Sequence, residues 1–259
     1  MEGIFDSHAH YDNEKFSEDY DQVIMTAKNN GVCAILNAGC DMKSSHNGIE
    51  LSKKYPFIFS SVGVHPHDTK SLTKNDLATL EELAKNKSVV GIGEIGLDYH
   101  YDYSPRDIQK QAFISQMDLA KKLDLPVIIH SREATADTLE IVQKYELKGV
   151  VHCFSGSAET AKKYLDMNYY IGFTGVVTFA NAHKVIEALK VVPLDKLLLE
   201  TDCPYMAPVP FRGKRATSDM IEHIAIKIAQ IKGVFPQLVI DTARKNTCNL
   251  FRIDESLLF

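Results

Sequence analysis

Gly3-Ile4-Phe5-Asp6-Ser7-His8-Ala9-His10 is a short apolar run that ends in two histidines one residue apart. Side chains alternate between the two faces of a strand, so His8 and His10 point the same way. Two imidazoles converging at a strand end make a metal-binding geometry, and the remaining ligands must come from elsewhere in the chain.

Apolar runs of this kind recur. Residues 3–6 read as a first strand, and residues 32–37, 57–64, 89–93, 126–129, 149–151, 169–173 and 196–200 as seven more. Amphipathic segments between them predict helices, among them 18–30, 43–54, 74–86 and 105–123, with two more at 217–232 and 236–249 after the last strand. Each connection is long enough for a crossover helix, which favours parallel strands. Eight such units in 259 residues, with no Pro/Ser-rich linker between them, predict a (β/α)8 TIM barrel in one domain spanning residues 1–259. A doubly wound open sheet is the alternative.

Composition narrows the function classes. A net charge of −5 excludes a cationic nucleic-acid coat protein, so any phosphate binding is local or carried by a bound cation. The five cysteines include no C-x-x-C pair, which argues against a disulfide framework or a thiolate zinc site and for a reduced, cytoplasmic protein. No secretory leader is expected, because the first strand begins near the start without a basic region before it. No apolar run approaches the roughly 18 residues of a membrane span.

Polar residues stand where the apolar runs stop: His8 and His10, His65 and His67, Glu94, His130, His152 and Asp202. In a parallel barrel those ends meet on one face, where barrel enzymes keep their sites. One histidine at a strand end is most often a hydrogen-bonded turn residue, and Asp202 before Cys203-Pro204 suits an Asx turn. So many at the same edge point instead to a shared site. Even four of these six histidines, with one Glu and one Asp, exceed a single tetrahedral zinc site and fit two divalent ions, Mg, Mn, Zn or Fe, with a bridging carboxylate.

Six motifs then follow in order: Asp6-Ser7-His8-Ala9-His10, Gly63-Val64-His65-Pro66-His67, Gly93-Glu94-Ile95-Gly96-Leu97-Asp98-Tyr99, His130-Ser131-Arg132-Glu133-Ala134, His152-Cys153-Phe154-Ser155-Gly156 and Glu200-Thr201-Asp202-Cys203-Pro204-Tyr205. Together they resemble the TatD family of metal-dependent deoxyribonucleases, within the amidohydrolase-like barrels. The resemblance implies that His8, His10 and Glu94 hold one metal, and Glu94, His130 and His152 the second. It implies that Asp202 completes the first site and takes a proton from the attacking water, making Asp202 and Glu94 the catalytic pair. It further implies that His65, His67 and Arg132 face the substrate phosphate. The implied activity is hydrolysis of DNA, as a 3′-to-5′ exonuclease on single strands, with no membrane and no obligate protein partner. The pattern departs from the family where Arg212-Gly213-Lys214-Arg215 is followed by Ala216-Thr217-Ser218 instead of Asn-Glu-Pro.

Other readings stay open beside this one. The same bimetal core suits a hydrolase of a small amide, lactone or ester, and a non-catalytic metal-binding protein would carry the same ligands. Gly91-x-Gly93-x-x-Gly96 matches a dinucleotide fingerprint but opens no helix, so these glycines are expected to let the backbone turn tightly around Glu94. The Phe211–Arg215 stretch is a surface turn or a phosphate clamp. Tyr99, His100, Tyr101 and Tyr103 either stack on unpaired bases or pack over the barrel mouth. Cys153 and Cys203, each next to a ligand, are expected to face away from it as small buried hydrophobes.

Overall fold

The computed structural model describes residues 1–258. Its strands form one eight-stranded parallel sheet in sequence order, the arrangement of a (β/α)8 barrel. A doubly wound sheet would reverse its order at a switch point, so that alternative is excluded.

The chain packs as two compact units, Met1–Asn37 with Cys153–Phe259, and Ala38–His152. The first unit holds β1 (Ile4–Ala9), α1 (Tyr20–Asn29) and β2 (Val32–Asn37), then α6 (Ala158–Asp166), β7 (Tyr170–Phe173), α7 (His183–Val191), β8 (Leu197–Leu199), α8 (Ile221–Lys232) and α9 (Pro236–Phe251). The second holds α2 (Met42–Lys54), β3 (Ile58–Val62), α3 (Lys74–Leu83), β4 (Val89–Asp98), α4 (Arg106–Leu123), β5 (Val127–Arg132), α5 (Thr135–Val142) and β6 (Gly149–Val151).

Local chemistry sets these elements. β2 is Val-Cys-Ala-Ile-Leu-Asn, buried throughout, as a strand covered on both faces must be. α2 and α3 each begin in a reciprocal cap, Asp41 with Ser44 and Thr73 with Asp76, which satisfies backbone N–H groups the helix cannot. α9 places Val239, Ile240, Ala243 and Leu250 at helical spacing, all buried, and packs against β1 and β8.

Within the first unit the end of β1 is stitched to the segment after β8. The Asp202 N–H donates to the His8 carbonyl at 2.9 Å, and the His10 N–H to the Cys203 carbonyl at 2.9 Å. Ala9 pairs in parallel with Cys203.

Two strands run further than their apolar patterns predict. β1 continues to Ala9, so His8 lies inside the strand. β4 continues to Asp98, so Glu94 lies inside it and Asp98 becomes its last residue. Between the pairs Ile92↔Val127 and Ile95↔Ile129, β4 takes three steps where β5 takes two. That bulge falls at Gly93 and Glu94, and bulges of this kind re-aim a side chain beside a site. The glycines here make room for close strand approach rather than a tight turn. A Cβ on Gly93 would meet Ile128, and one on Gly96 would run into the His130 carbonyl oxygen.

Gly96 also sits at φ +145°, a conformation closed to L side chains. Gly96→Ala should therefore destabilise the protein by about 2 kcal/mol or more. Urea unfolding checks this, and an unchanged midpoint would contradict it.

Candidate metal centre

Each unit gathers its own set of donors. In the first, His8 and His10 bring their Nε2 atoms to 3.2 Å from one another. Asp202 Oδ1 lies 3.4 Å from His10 Nε2 and 3.9 Å from His8 Nε2. The alternation expected for His8 and His10 thus places both rings on one side. Asp202 is turned toward them by a backbone at φ +58°, a left-handed conformation that Asp tolerates better than most residues.

Thr201, the residue before Asp202, is tied to Asp6, for which the sequence suggests no role. Asp6 is fully buried and accepts from the Thr201 N–H at 3.0 Å, the Thr201 hydroxyl at 2.6 Å and the Ser218 hydroxyl at 2.6 Å. Burial pushes its carboxyl up to about 6 against the pull of these hydrogen bonds. The departure at Ala216-Thr217-Ser218 is therefore where this loop anchors: Ser218 holds Asp6, and its N–H donates to the Tyr11 hydroxyl at 3.1 Å. Glu200, also fully buried, accepts the Cys153 N–H in the space that Gly172 leaves by having no side chain.

In the second unit Glu94 is the centre. Its Oε1 lies 2.7 Å from His152 Nε2, 2.8 Å from His130 Nδ1 and 3.5 Å from His65 Nε2. Burial disfavours the anion, but the charges of His152 and His65 and the hydrogen bonds of His130 and His152 outweigh it, holding the carboxyl well below the usual range. Burial likewise lowers the His65 imidazole well below its ordinary value. The His67 N–H donates to His65 Nδ1 at 3.2 Å, so the neutral ring carries its proton on Nε2.

Asp98 is the residue here that pattern reading missed. Once β4 runs past Glu94, residues 94, 96 and 98 share a face. Asp98 Oδ2 lies 3.1 Å from His130 Nε2 and 3.1 Å from His67 Nε2. His130 thus bridges the two acids, one ring nitrogen on each. Burial works against the Asp98 anion, yet the hydrogen bonds of His130 and His67 bring its carboxyl far below the usual range. Two glutamines of α4 position the strand ends. Gln116 exchanges hydrogen bonds with both backbone groups of Val64, at 2.7 and 3.0 Å. Gln109 does the same for Asp98, at 2.9 and 3.0 Å.

The donor chemistry fits divalent cations. Facing imidazole nitrogens beside a carboxylate oxygen, once in each unit, offer lone pairs that a shared cation would satisfy. Other expectations resolve as follows. Arg132, the last residue of β5, lies over the Tyr101 ring at 4.8 Å. Arg215 is engaged by Asp19 at 2.6 and 2.8 Å, and Arg212 lies over Phe179, so this basic stretch is tied to the surface of the first unit. Cys203 is fully buried as expected, and burial raises its thiol pKa. Cys153 is not buried: β6 ends at Val151, so strand alternation does not reach it, and it turns at φ +43°.

A (β/α)8 barrel with histidines and carboxylates gathered at its strand ends has the construction of a metal-dependent hydrolase. This chain belongs to the TatD family, since the model of TatD related DNase matches residues 5–252. It is 42% identical over 254 residues to the uncharacterized metal-dependent hydrolase YabD of Bacillus subtilis, covering 97% of this chain and 100% of that protein. It is 33% identical over 258 residues to the 3′-5′ ssDNA/RNA exonuclease TatD of Citrobacter koseri, covering 96% of this chain and 99% of that one. Among solved structures, the TatD homologue YjjV of Escherichia coli matches with a TM-score of 0.91 at 28% identity, over 97% of this chain and 98% of its own. The likeness confirms the barrel. Among the described residues, no helix is long and apolar enough to cross a membrane.

Removing the Asp6 carboxylate strands several buried donors at once. Asp6→Ala should cost about 3 kcal/mol of stability, measured by chemical unfolding. A cost under about 1 kcal/mol would mean that the loop carrying Asp202 stands without it.

Proposed function

We propose that this protein is a deoxyribonuclease that removes nucleotides from the 3′ end of single-stranded DNA, using two divalent ions. His8, His10 and Asp202 would hold one ion, His130 and His152 the other, and Glu94 would bridge them; Mg, Mn and Zn all suit these donors. The observation that carries this reading is Glu94, one buried carboxylate oxygen within 3.5 Å of three imidazole nitrogens. The substrate class draws support from relatives named as 3′-5′ ssDNA/RNA exonucleases.

Bound there, such ions would supply a water of lowered pKa and positive charge beside the phosphoryl oxygens. The protein's own groups do the rest. Asp202, beside His10 and fixed through Asp6, accepts the proton of the attacking water. His65 presents an Nε2–H, which suits it to donate to a phosphate oxygen. Arg132 offers a fork of donors and a fixed charge to the same group, and His67 stands beside it. Asp98 holds His130 and His67 in orientation, as carboxylates do behind ligating histidines. Local cations in this role reconcile a chain of net charge −5 with a polyanionic substrate.

The test is the product time course from a 5′-labelled DNA strand with Mg, Mn or Zn, run beside a panel of small esters and amides. A ladder shortening from the 3′ end is expected, with Glu94→Ala and Asp202→Asn each slower by about 100-fold or more. Wild-type rates in Asp202→Asn would remove its role as base. Hydrolysis of the small esters with DNA left intact would replace the substrate class.

A further inference from the structure

The loop after β4 carries Tyr99, His100, Tyr101 and Tyr103, and the structure separates their roles. Tyr99 is built into the packing: its hydroxyl donates to Asp137 at 2.6 Å, and Arg106 lies 4.3 Å over its ring. His100 pairs with Glu133 at 2.8 Å. Tyr101 and Tyr103 instead stack on one another, centroids 5.2 Å apart and planes 21° from parallel, and remain 44% and 58% exposed. Two aromatic rings stacked in water leave a large apolar surface uncovered, the kind of patch that marks a binding site.

This pair is continuous with the second unit's donors. His67 sets its ring edge against Tyr101 at 5.3 Å and Tyr103 at 4.8 Å. His67 also shares Asp98 with His130, whose other nitrogen reaches Glu94. The Arg132 guanidinium, 4.8 Å from the Tyr101 ring centre, adds a fixed positive charge at the same place. Flat π-faces beside a cation, adjoining acids and imidazoles suited to metal, are complementary to a ligand that alternates bases with phosphates. An apolar protein segment would gain nothing from the charge.

We propose that the exposed ring of Tyr103, backed by Tyr101, forms a platform on which an unpaired nucleobase stacks, next to the phosphate that Arg132 contacts. This rests on the reading of the site as a nuclease, and it gives that reading a physical source of strand selectivity. A base inside a duplex has its faces covered by its neighbours, whereas a single strand can lay one on the rings. Stacking also tolerates any base, because every base has a π-face.

The test measures binding by fluorescence anisotropy, and turnover separately, with magnesium, manganese or zinc present. The probes are a labelled short oligothymidylate and the same strand lacking its bases at the 3′ end. The wild type is expected to bind the base-bearing strand about tenfold tighter than the abasic one. Tyr103→Ala should erase that preference and Tyr103→Trp should keep it. Equal binding of the two strands by the wild type, or an undiminished preference in Tyr103→Ala, overturns the platform. Cleavage without base preference overturns the platform and leaves the nuclease standing. Base-dependent binding that Tyr103→Ala abolishes, with no cleavage, keeps the platform and removes the nuclease. Binding of neither strand overturns both.

Discussion

A carboxylate taken out of water needs partners close by, because an unpaired buried anion is among the costliest things a fold can contain. Glu94 is that carboxylate, 4% exposed, and the second unit is arranged to keep it ionised. The bulge in β4 aims it, and imidazoles from the end of β5, the end of β6 and the loop after β3 surround it. Asp98, four residues on along the same strand, ties His130 from its far side. Gln109 and Gln116, two turns apart on α4, pin the backbone at Asp98 and Val64. The apolar face of that helix, with Phe113 and Met117 wholly buried, holds the glutamines in place. Packing energy is thereby converted into the position of a few polar atoms.

The first unit meets the same difficulty with different means. Asp6 lies in the middle of a buried strand and is stabilised by hydroxyl and amide donors from beyond β8. Those bonds tie the chain's beginning to a segment about two hundred residues later, and Asp202 is delivered beside His8 and His10 as a result. Asp6 also accepts the His8 backbone N–H at 3.3 Å. It acts by fixing the loop, as groups behind a ligand commonly do.

The sequence was most legible where one physical rule governs. Continuous apolar runs marked the strands, because parallel strands are covered on both faces. It was least legible where a rule was interrupted. Gly91-Ile92-Gly93-Glu94-Ile95-Gly96-Leu97-Asp98 breaks the apolar pattern with glycines, so the strand was expected to stop early, and Asp98 was missed. The signal was present: Ile95 and Leu97 alternate with Glu94, Gly96 and Asp98, as a strand with one polar face requires. Asp6 was passed over because a lone acid within an apolar run looks the same whether it is solvated or bonded to hydroxyls far along the chain. Composition could not separate Tyr99 from Tyr103 either, since only the fold decides which ring finds an acid partner and which is left to water.

The central claim is the proposal that Glu94 and the donor groups named with it hold a pair of cations. Its most direct measurement is the number of divalent ions retained per chain after equilibration with manganese and removal of the excess. Two ions per wild-type chain, falling to one or none in Glu94→Ala, is the result this account predicts. A wild-type chain that retains none, or a Glu94→Ala chain that retains both, would contradict it.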